Sequence, residues 1–313
     1  MITTVTLNAS IDKIYTVDAE LRVGEVQRVA RVIDNAGGKG LNCARAVATC
    51  GEDVVATGFV GGHNGAYLCE RLTADGIPHD FVHTEQETRC CLNIIEPSRR
   101  STEFLEPGRP VTPEEVALVE AKVRELAAKS TAVTLNGSVP AGCSDDIYRT
   151  LVSIVREEGA RALLDTSGAL LVGSLAARPD LIKPNTDEIC AILGHKPESL
   201  EEVVAAAREV RERHGVGRVV VSLGGDGAVM SCAEGDFRGR APKIEPVNTV
   251  GSGDTMVGAF AVALSRSMDI EDQLRFAMAC ATANCLTPAT GNFEMETAER
   301  LMAETSVERL ERP

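Results

Sequence analysis

Short apolar runs alternate with segments of helical period along most of this chain. Runs over residues 54–60, 132–135, 161–164 and 218–222 are too short for helices, and they predict buried strands. Between them, apolar positions at helical spacing predict helices over 41–50, 66–74, 113–129, 145–158, 200–214, 255–265 and 271–284. Such alternation marks a three-layer α/β/α architecture, a mostly parallel central sheet with helices on both faces. Two regions break it: strand-like pieces at 14–17 and 26–33, then at 81–83, 91–95 and 102–105, have no helices between them. They predict a small antiparallel β flap, a lid built from about 12–34 and 79–106 within a single domain spanning 1–313. A projecting flap covers a site or pairs with another subunit. Its exposed edges make a homodimer through the lid the expected assembly.

Composition narrows the classes. With 44% hydrophobic residues in 313, the chain can bury one large core. A formal net charge of −14, no Trp and three Tyr argue against nucleic acid, which needs cations and stacking surfaces. No apolar run approaches a membrane span and the first residues lack the pattern of a signal peptide, so the expectation is no membrane association and a cytoplasmic location. The ten cysteines are dispersed without a Cys-x-x-Cys pair, as packing residues of a reducing compartment would be. Cys90, Cys91 and Cys143 fall in less regular segments, and Cys143 is a candidate exposed thiol.

Candidate chemistry gathers at glycine turns. Asn248-Thr249-Val250-Gly251-Ser252-Gly253-Asp254 immediately precedes the apolar helix of 255–265. Its glycines permit a tight turn whose free N–H groups, at a helix N-terminus, suit a phosphate. A carboxylate in such a turn is repulsive to an anion unless it takes a proton from an attacking hydroxyl. The alternative is that Asp254 only caps the helix. A second turn, Ala36-Gly37-Gly38-Lys39-Gly40, opens the helix of 41–50 and adds a lysine as a point charge. It is neither a Walker A loop nor a dinucleotide fingerprint, since the spacings differ. One turn carries a base and the other a cation, so together they can hold a donor phosphate and an acceptor in one cleft. Between them, Lys183-Pro184-Asn185-Thr186-Asp187-Glu188 reads equally as a capping box, with Asn185 as N-cap and Glu188 at N3, or as a binding segment. The stretch Ser222-Leu223-Gly224-Gly225-Asp226-Gly227 reads as a hairpin turn or as a close seat for a nucleotide.

Taken together, residues 37–42, Asn136-Gly137-Ser138-Val139-Pro140, Asp165-Thr166-Ser167-Gly168, 182–188, 222–227 and 248–254 occur in the order and spacing of PfkB-type carbohydrate kinases. The chain resembles this ribokinase-like family over its whole length. Thr6-Leu7-Asn8 with Asp12, Gly-Gly-Lys-Gly-Leu-Asn, Thr88-Arg89 and Thr102-Glu103 resemble the branch of 1-phosphofructokinases and tagatose-6-phosphate kinases. The resemblance implies ATP- and Mg²⁺-dependent phosphorylation of a ketohexose monophosphate. It makes Asp254 the catalytic base, with Gly251, Ser252 and Gly253 holding the transferring phosphoryl group. Asp12, Gly37, Gly38, Lys39 and Asn42 are then sugar contacts, and Arg89, with Cys91 and Asn93, lies near the acceptor's phosphate. Lys183, Asn185, Ser222, Gly224 and Gly227 fall to ATP, Asn284 to a position beside the adenine, and Glu188 to Mg²⁺, directly or through water. The Thr-Arg-x-Cys pattern at 88–91 and the Gly-Ser-Gly-Asp turn stand nearer the tagatose-6-phosphate kinases. Cys91 and Asn93 replace the Asn and Lys typical of 1-phosphofructokinases. A kinase for an unphosphorylated sugar or nucleoside stands as the alternative. Arg89 and Lys39 count against it, because a neutral acceptor would leave two cations unpaired. A sugar-phosphate sensor without turnover is the other alternative, and the retained base counts against that.

Overall fold

The apolar runs of the sequence pair side by side. In the computed structural model, which describes residues 1–311, the chain begins β1 (Ile2–Thr6), β2 (Ser10–Val17), β3 (Val29–Gly37), α1 (Lys39–Thr49), β4 (Val54–Gly61), α2 (Gly62–Ala74), β5 (Val82–Thr84), β6 (Arg89–Ile95) and β7 (Ser101–Leu105). It continues through α3 (Pro113–Ala127), β8 (Ala132–Asn136), α4 (Ile147–Glu157), β9 (Arg161–Asp165), α5 (Gly168–Ser174), β10 (Leu181–Ile182), α6 (Thr186–Leu193), α7 (Leu200–His214) and β11 (Arg218–Ser222). The last part holds β12 (Ala228–Cys232), β13 (Gly235–Arg240), α8 (Ser252–Ser265), α9 (Ile270–Cys285), α10 (Met295–Glu304) and β14 (Ser306–Leu310).

Ten strands form the central sheet in the order β14-β13-β12-β11-β10-β9-β8-β1-β4-β5. Pairing is parallel from β5 to β11 and antiparallel from β11 to β14. The parallel strands are buried on both faces because successive residues point to opposite cores. Leu163 and Val220 enter the core beneath α1, α8 and α9, whereas Leu164 and Val221 enter the one beneath α4 and α7. Each such side chain contributes roughly 1.5–3 kcal/mol on burial. Helix α8 is buried without interruption from Asp254 to Ala263. That burial explains an apolar run with no polar face.

Strand β1 has β4 on one side and β8 on the other, so the strand order reverses there. Ligand crevices of open α/β sheets lie beyond the carboxyl ends of strands at such a reversal. The loops after β1, β8, β9, β10 and β11 all open on that edge.

The lid forms a second sheet, β3-β2-β6-β7. Its outer pairs are antiparallel, while its central pair, β2 with β6, is parallel from Ser10↔Arg89 to Thr16↔Ile95. The parallel pair arises because two hairpins, inserted at separate points, leave the main sheet in the same direction. The piece at 81–83 does not join the lid. Phe81 and Val82 are buried in the main cores, and β5 extends the central sheet beside β4. All ten cysteines are free, five of them buried. Cys143 is half-buried, and burial pushes its thiol up to about 11, out of reach of easy ionisation. Among the described residues no helix is long and apolar enough to cross a membrane.

Candidate active site

The turn before α8 is shaped by Gly251, whose φ of 79° is left-handed and whose Cβ, if present, would lie 2.3 Å from Thr290 Cγ2. No other residue type fits there without displacing its neighbour. Beyond it, the N–H groups of Gly251, Gly253 and Asp254 have no partner among the described residues, while that of Ser252 is donated to the Thr249 carbonyl at 3.3 Å. These are orphan donors of a helix N-terminus, aimed where an anion is favoured. Asp254 is buried, and its Oδ2 accepts a hydrogen bond from Asn42 Nδ2 at 2.8 Å. Burial and the neighbouring Asp165 carboxylate raise its pKa, against Lys39, Asn42 and Lys183, which lower it; the net effect is a carboxyl pushed up to about 6. A carboxyl so placed is ionised near neutrality yet accepts a proton more readily than a surface carboxylate.

Two lysines flank this turn and share one acid. Lys39 Nζ lies 3.5 Å from Asp165 Oδ2 and Lys183 Nζ 3.4 Å from Asp165 Oδ1. Lys183 is buried, with its ammonium 3.2 Å from where a Cβ on Gly253 would stand. Burial acts to lower the Lys39 pKa, but Asp165, Asp254 and Glu188 outweigh it and hold the ammonium above its usual range. Sequence reading placed Asp165 in a motif without giving it a role. Its signal was a buried acid at the end of a strand, 1% exposed in its side chain, which requires a cation nearby.

The Gly37-Gly38 turn is equally constrained. A Cβ on Gly37 would lie 2.1 Å from the Asp12 carboxyl carbon, and Gly38 has φ 121°. Asp12 accepts from Ser10 Oγ at 2.6 Å, and its pKa is raised, burial outweighing that hydrogen bond and the nearby Arg89 and Arg45. Gly38, Lys39 and Arg89 line a cleft of about 240 Å³ with Thr6, Asn8, Asn136, Gly137, Ser138, Thr166 and Ser167. Arg89 is less free than expected. Its Nε and Nη2 donate to the Asn8 carbonyl at 3.2 and 3.0 Å, and its Nη1 to the Glu106 carbonyl at 3.0 Å. With Lys39 already paired to Asp165, the expectation of two unpaired cations is corrected: both have partners before any acceptor arrives.

Other candidates are dispersed. Cys91 is buried opposite Asp12 in the lid ladder, and burial raises its thiol pKa; Asn93 sits two pairs further out, opposite Ile14, and accepts from Ser101 Oγ at 2.6 Å. Neither lines the cleft. Asn185 and Glu188 do form the capping box: Asn185 Oδ1 accepts from the N–H of Asp187 and Glu188, and Glu188 Oε2 accepts from the N–H of Asn185 at 2.9 Å. Ser222 ends β11, and Gly224 (φ 59°) and Gly227 (φ 92°) turn the chain into antiparallel β12. The stretch is thus the hairpin turn, and a Cβ on Gly224 or Gly225 would meet nothing within 4 Å. Asn284 is fully buried, donating from Nδ2 to the Val250 carbonyl at 3.1 Å and accepting from the Gly291 N–H at 2.8 Å. Its amide therefore ties the α8 turn to the loop after α9, a tertiary role that its place in the sequence does not suggest.

A buried carboxylate at a helix N-terminus, with two lysines across from it at the open edge of a doubly wound sheet, has the chemistry that phosphoryl transfer to a hydroxyl requires. The chain matches the model of pfkB family carbohydrate kinases over residues 5–298 and belongs to that family, as a phosphotransferase with an alcohol group as acceptor. It is 32% identical over 309 residues to the tagatose-6-phosphate kinase of Staphylococcus epidermidis, covering 98% of this chain and 99% of that one. The tetrameric inhibited form of phosphofructokinase-2 from Escherichia coli superposes with a TM-score of 0.90 at 29% identity, covering 97% of this chain and 98% of that one. The ribokinase of Arabidopsis thaliana complexed with ribose and ATP shares the fold, with a TM-score of 0.78 at 20% identity, covering 96% and 98%.

Proposed function

We propose that this protein transfers the γ-phosphoryl group of ATP to a free hydroxyl of a ketohexose monophosphate, tagatose 6-phosphate or fructose 1-phosphate, giving a bisphosphate and ADP. The observation that carries the reading is Asp254, buried beside three unpartnered N–H groups and within electrostatic reach of Lys39 and Lys183. Asp254 takes the proton of the hydroxyl as its oxygen bonds to the γ-phosphorus, and the bond from that phosphorus to the bridging oxygen of ADP breaks. The N–H groups of Gly251, Gly253 and Asp254 and the Lys183 ammonium face the charge that spreads over the phosphoryl oxygens. Preorganised donors of this kind supply much of the rate enhancement.

For Mg²⁺ the donor set is sparse: among the described residues there is no cluster of three His, Cys, Asp or Glu. That suits a cation that keeps most of its waters and binds through one carboxylate and substrate phosphates. Glu188 fits this demand, because its capping bond uses Oε2 and leaves Oε1. Bound there, Mg²⁺ would neutralise phosphate charge. Lys39 and the remaining N–H groups of Arg89 would orient the acceptor in the cleft, and the kinship with a tagatose-6-phosphate kinase favours an acceptor that already bears phosphate. The prior pairing of both cations favours a second reading, an unphosphorylated sugar. An ADP-release assay with tagatose 6-phosphate, fructose 1-phosphate, fructose 6-phosphate and the free sugars in parallel decides. A kcat/KM highest on a free sugar would overturn the phosphorylated acceptor, and ADP release on none would leave a binding protein.

The lid supports a homodimer in this reading. Val32 and Phe104 are 52% and 58% exposed; Val32 pairs with Tyr15, and Phe104 with Leu92, which pairs in turn with Lys13, so the two lie on one face of the flap. Apolar side chains so placed gain from contact with a second copy.

A further inference from the structure

One buried guanidinium near the base has no part in the chemistry above. Arg45, on α1, is 13% exposed in its side chain and reaches three elements at once. Its Nη1 donates to Asn42 Oδ1 at 3.3 Å, its Nη2 donates to the Ala36 carbonyl in β3 at 2.6 Å, and its Nε lies 3.5 Å from Asp75 Oδ2 at the end of α2. Asn42 in turn donates from Nδ2 to Asp254 Oδ2 at 2.8 Å. An unbroken line of contacts thus runs Asp75, Arg45, Asn42, Asp254.

We infer that Arg45 is a positioning residue for the base: it fixes the Asn42 amide with Nδ2 toward Asp254, and it ties that amide to the lid strand β3. The inference rests on the reading of Asp254 as the base. A guanidinium carries donors only, so the amide edge that meets Arg45 must be the carbonyl oxygen, and the edge left for Asp254 must be the NH₂. The hydrogen bond from Asn42 favours the ionised carboxylate, the form that can take a proton. Without Arg45 the amide can rotate when Asp254 is protonated, and the preference for the ionised form weakens. The Ala36 carbonyl immediately precedes Gly37, so the same guanidinium sets the lid strand and the base relative to each other.

The charged and titratable groups around the pair are few. Asp254 faces Asp165 at the end of β9, Lys39 and Cys43 on α1, and Lys183 after β10, while Arg45 faces Asp75 and Arg71 on the α2 side and Asp12 on β2. Among the described residues none of them hydrogen-bonds the Asn42 amide oxygen in Arg45's place. The test is a titration of the Asp254 carboxyl by NMR in the intact chain labelled with ¹³C at Asp Cγ, assigned by comparison with Asp254→Asn. Arg45→Met removes every donor; Arg45→Lys keeps the charge beside Asp75, yet one ammonium cannot span Asn42, Ala36 and Asp75, so it serves if the first variant folds poorly.

The expected result is an Asp254 midpoint about one unit higher in Arg45→Met, a tenfold change in proton affinity, with a smaller rise in Arg45→Lys. On the best acceptor of the panel, kcat at pH 6 falls about tenfold and recovers in part at pH 8. An unchanged or lower midpoint in a folded variant overturns the inference. Should Asp254→Asn still turn over while the midpoint shifts as expected, it is the assignment of the base that fails, and the positioning by Arg45 holds.

Discussion

Asp254 bears opposing demands. Its carboxylate is held out of water beside Asp165, which raises its proton affinity, yet Lys39, Asn42 and Lys183 keep it ionised near neutrality. Because only the ionised form accepts a proton, kcat is expected to be lost as pH falls, with an acid-side midpoint at about 6 in a pH–rate profile. Asp254→Asn should lower kcat at least a hundredfold while equilibrium dialysis shows ATP and acceptor still bound. Stability should move the other way. Between the ordinary value of 3.8 and about 6, the folded state binds this proton more tightly than the unfolded chain does, so stability falls as pH rises through that window. The Asn variant is therefore expected to melt at a higher temperature than the parent at pH 8 and to lose that advantage at pH 4, as a thermal-melt series would show.

At the scale of elements, the two glycine turns are useful only if their helices are held at a fixed separation. Helices α1 and α8 meet at Gly258, where an added Cβ would lie 2.9 Å from the Cys43 carbonyl and 3.2 Å from Ala46 Cβ. Helix propensity alone says that Gly258→Ala gains about 1 kcal/mol. The close approach reverses the sign: the variant should be less stable by roughly 1–3 kcal/mol in urea denaturation, and turnover should drop as Asn42 and Asp254 are pushed apart. The Cys43 thiol strengthens the same crossing by donating to the Asp254 carbonyl at 3.1 Å. A cysteine read as packing thus also ties one turn to the other.

For the whole molecule, the division between core and lid decides what is exposed. The parallel strands at the centre of the main sheet are buried on both faces, whereas the lid leaves Val32 and Phe104 in water. If that face joins two copies, Phe104→Glu should convert a dimer to a monomer in sedimentation velocity and leave the melting of the main core nearly unchanged. A variant that sediments as the parent does would place the interface elsewhere. The lid also shows where the sequence pattern misled. Residues 81–83 resemble the flap's other short strands, but Phe81 and Val82 find more apolar surface beside β4 than a half-exposed sheet can offer.

By itself the sequence determined the alternation of strands and helices, the two glycine turns, and the acid Asp254 in the turn before α8, because these depend on local periodicity and on backbone freedom at Gly38 and Gly251. It also carried the capping box at Asn185 and Glu188, whose partners lie three residues apart. Tertiary structure alone decided the rest. Asp165 became the shared partner of Lys39 and Lys183, Asn284 a tie between two loops, Asn42 the hydrogen-bond partner of Asp254 and Arg45 the salt-bridge partner of Asp75, because each of those contacts joins segments that only folding brings together. The parallel pairing of β2 with β6 was hidden for the same reason: strand direction depends on where each hairpin leaves the main sheet, and no window of sequence contains both points.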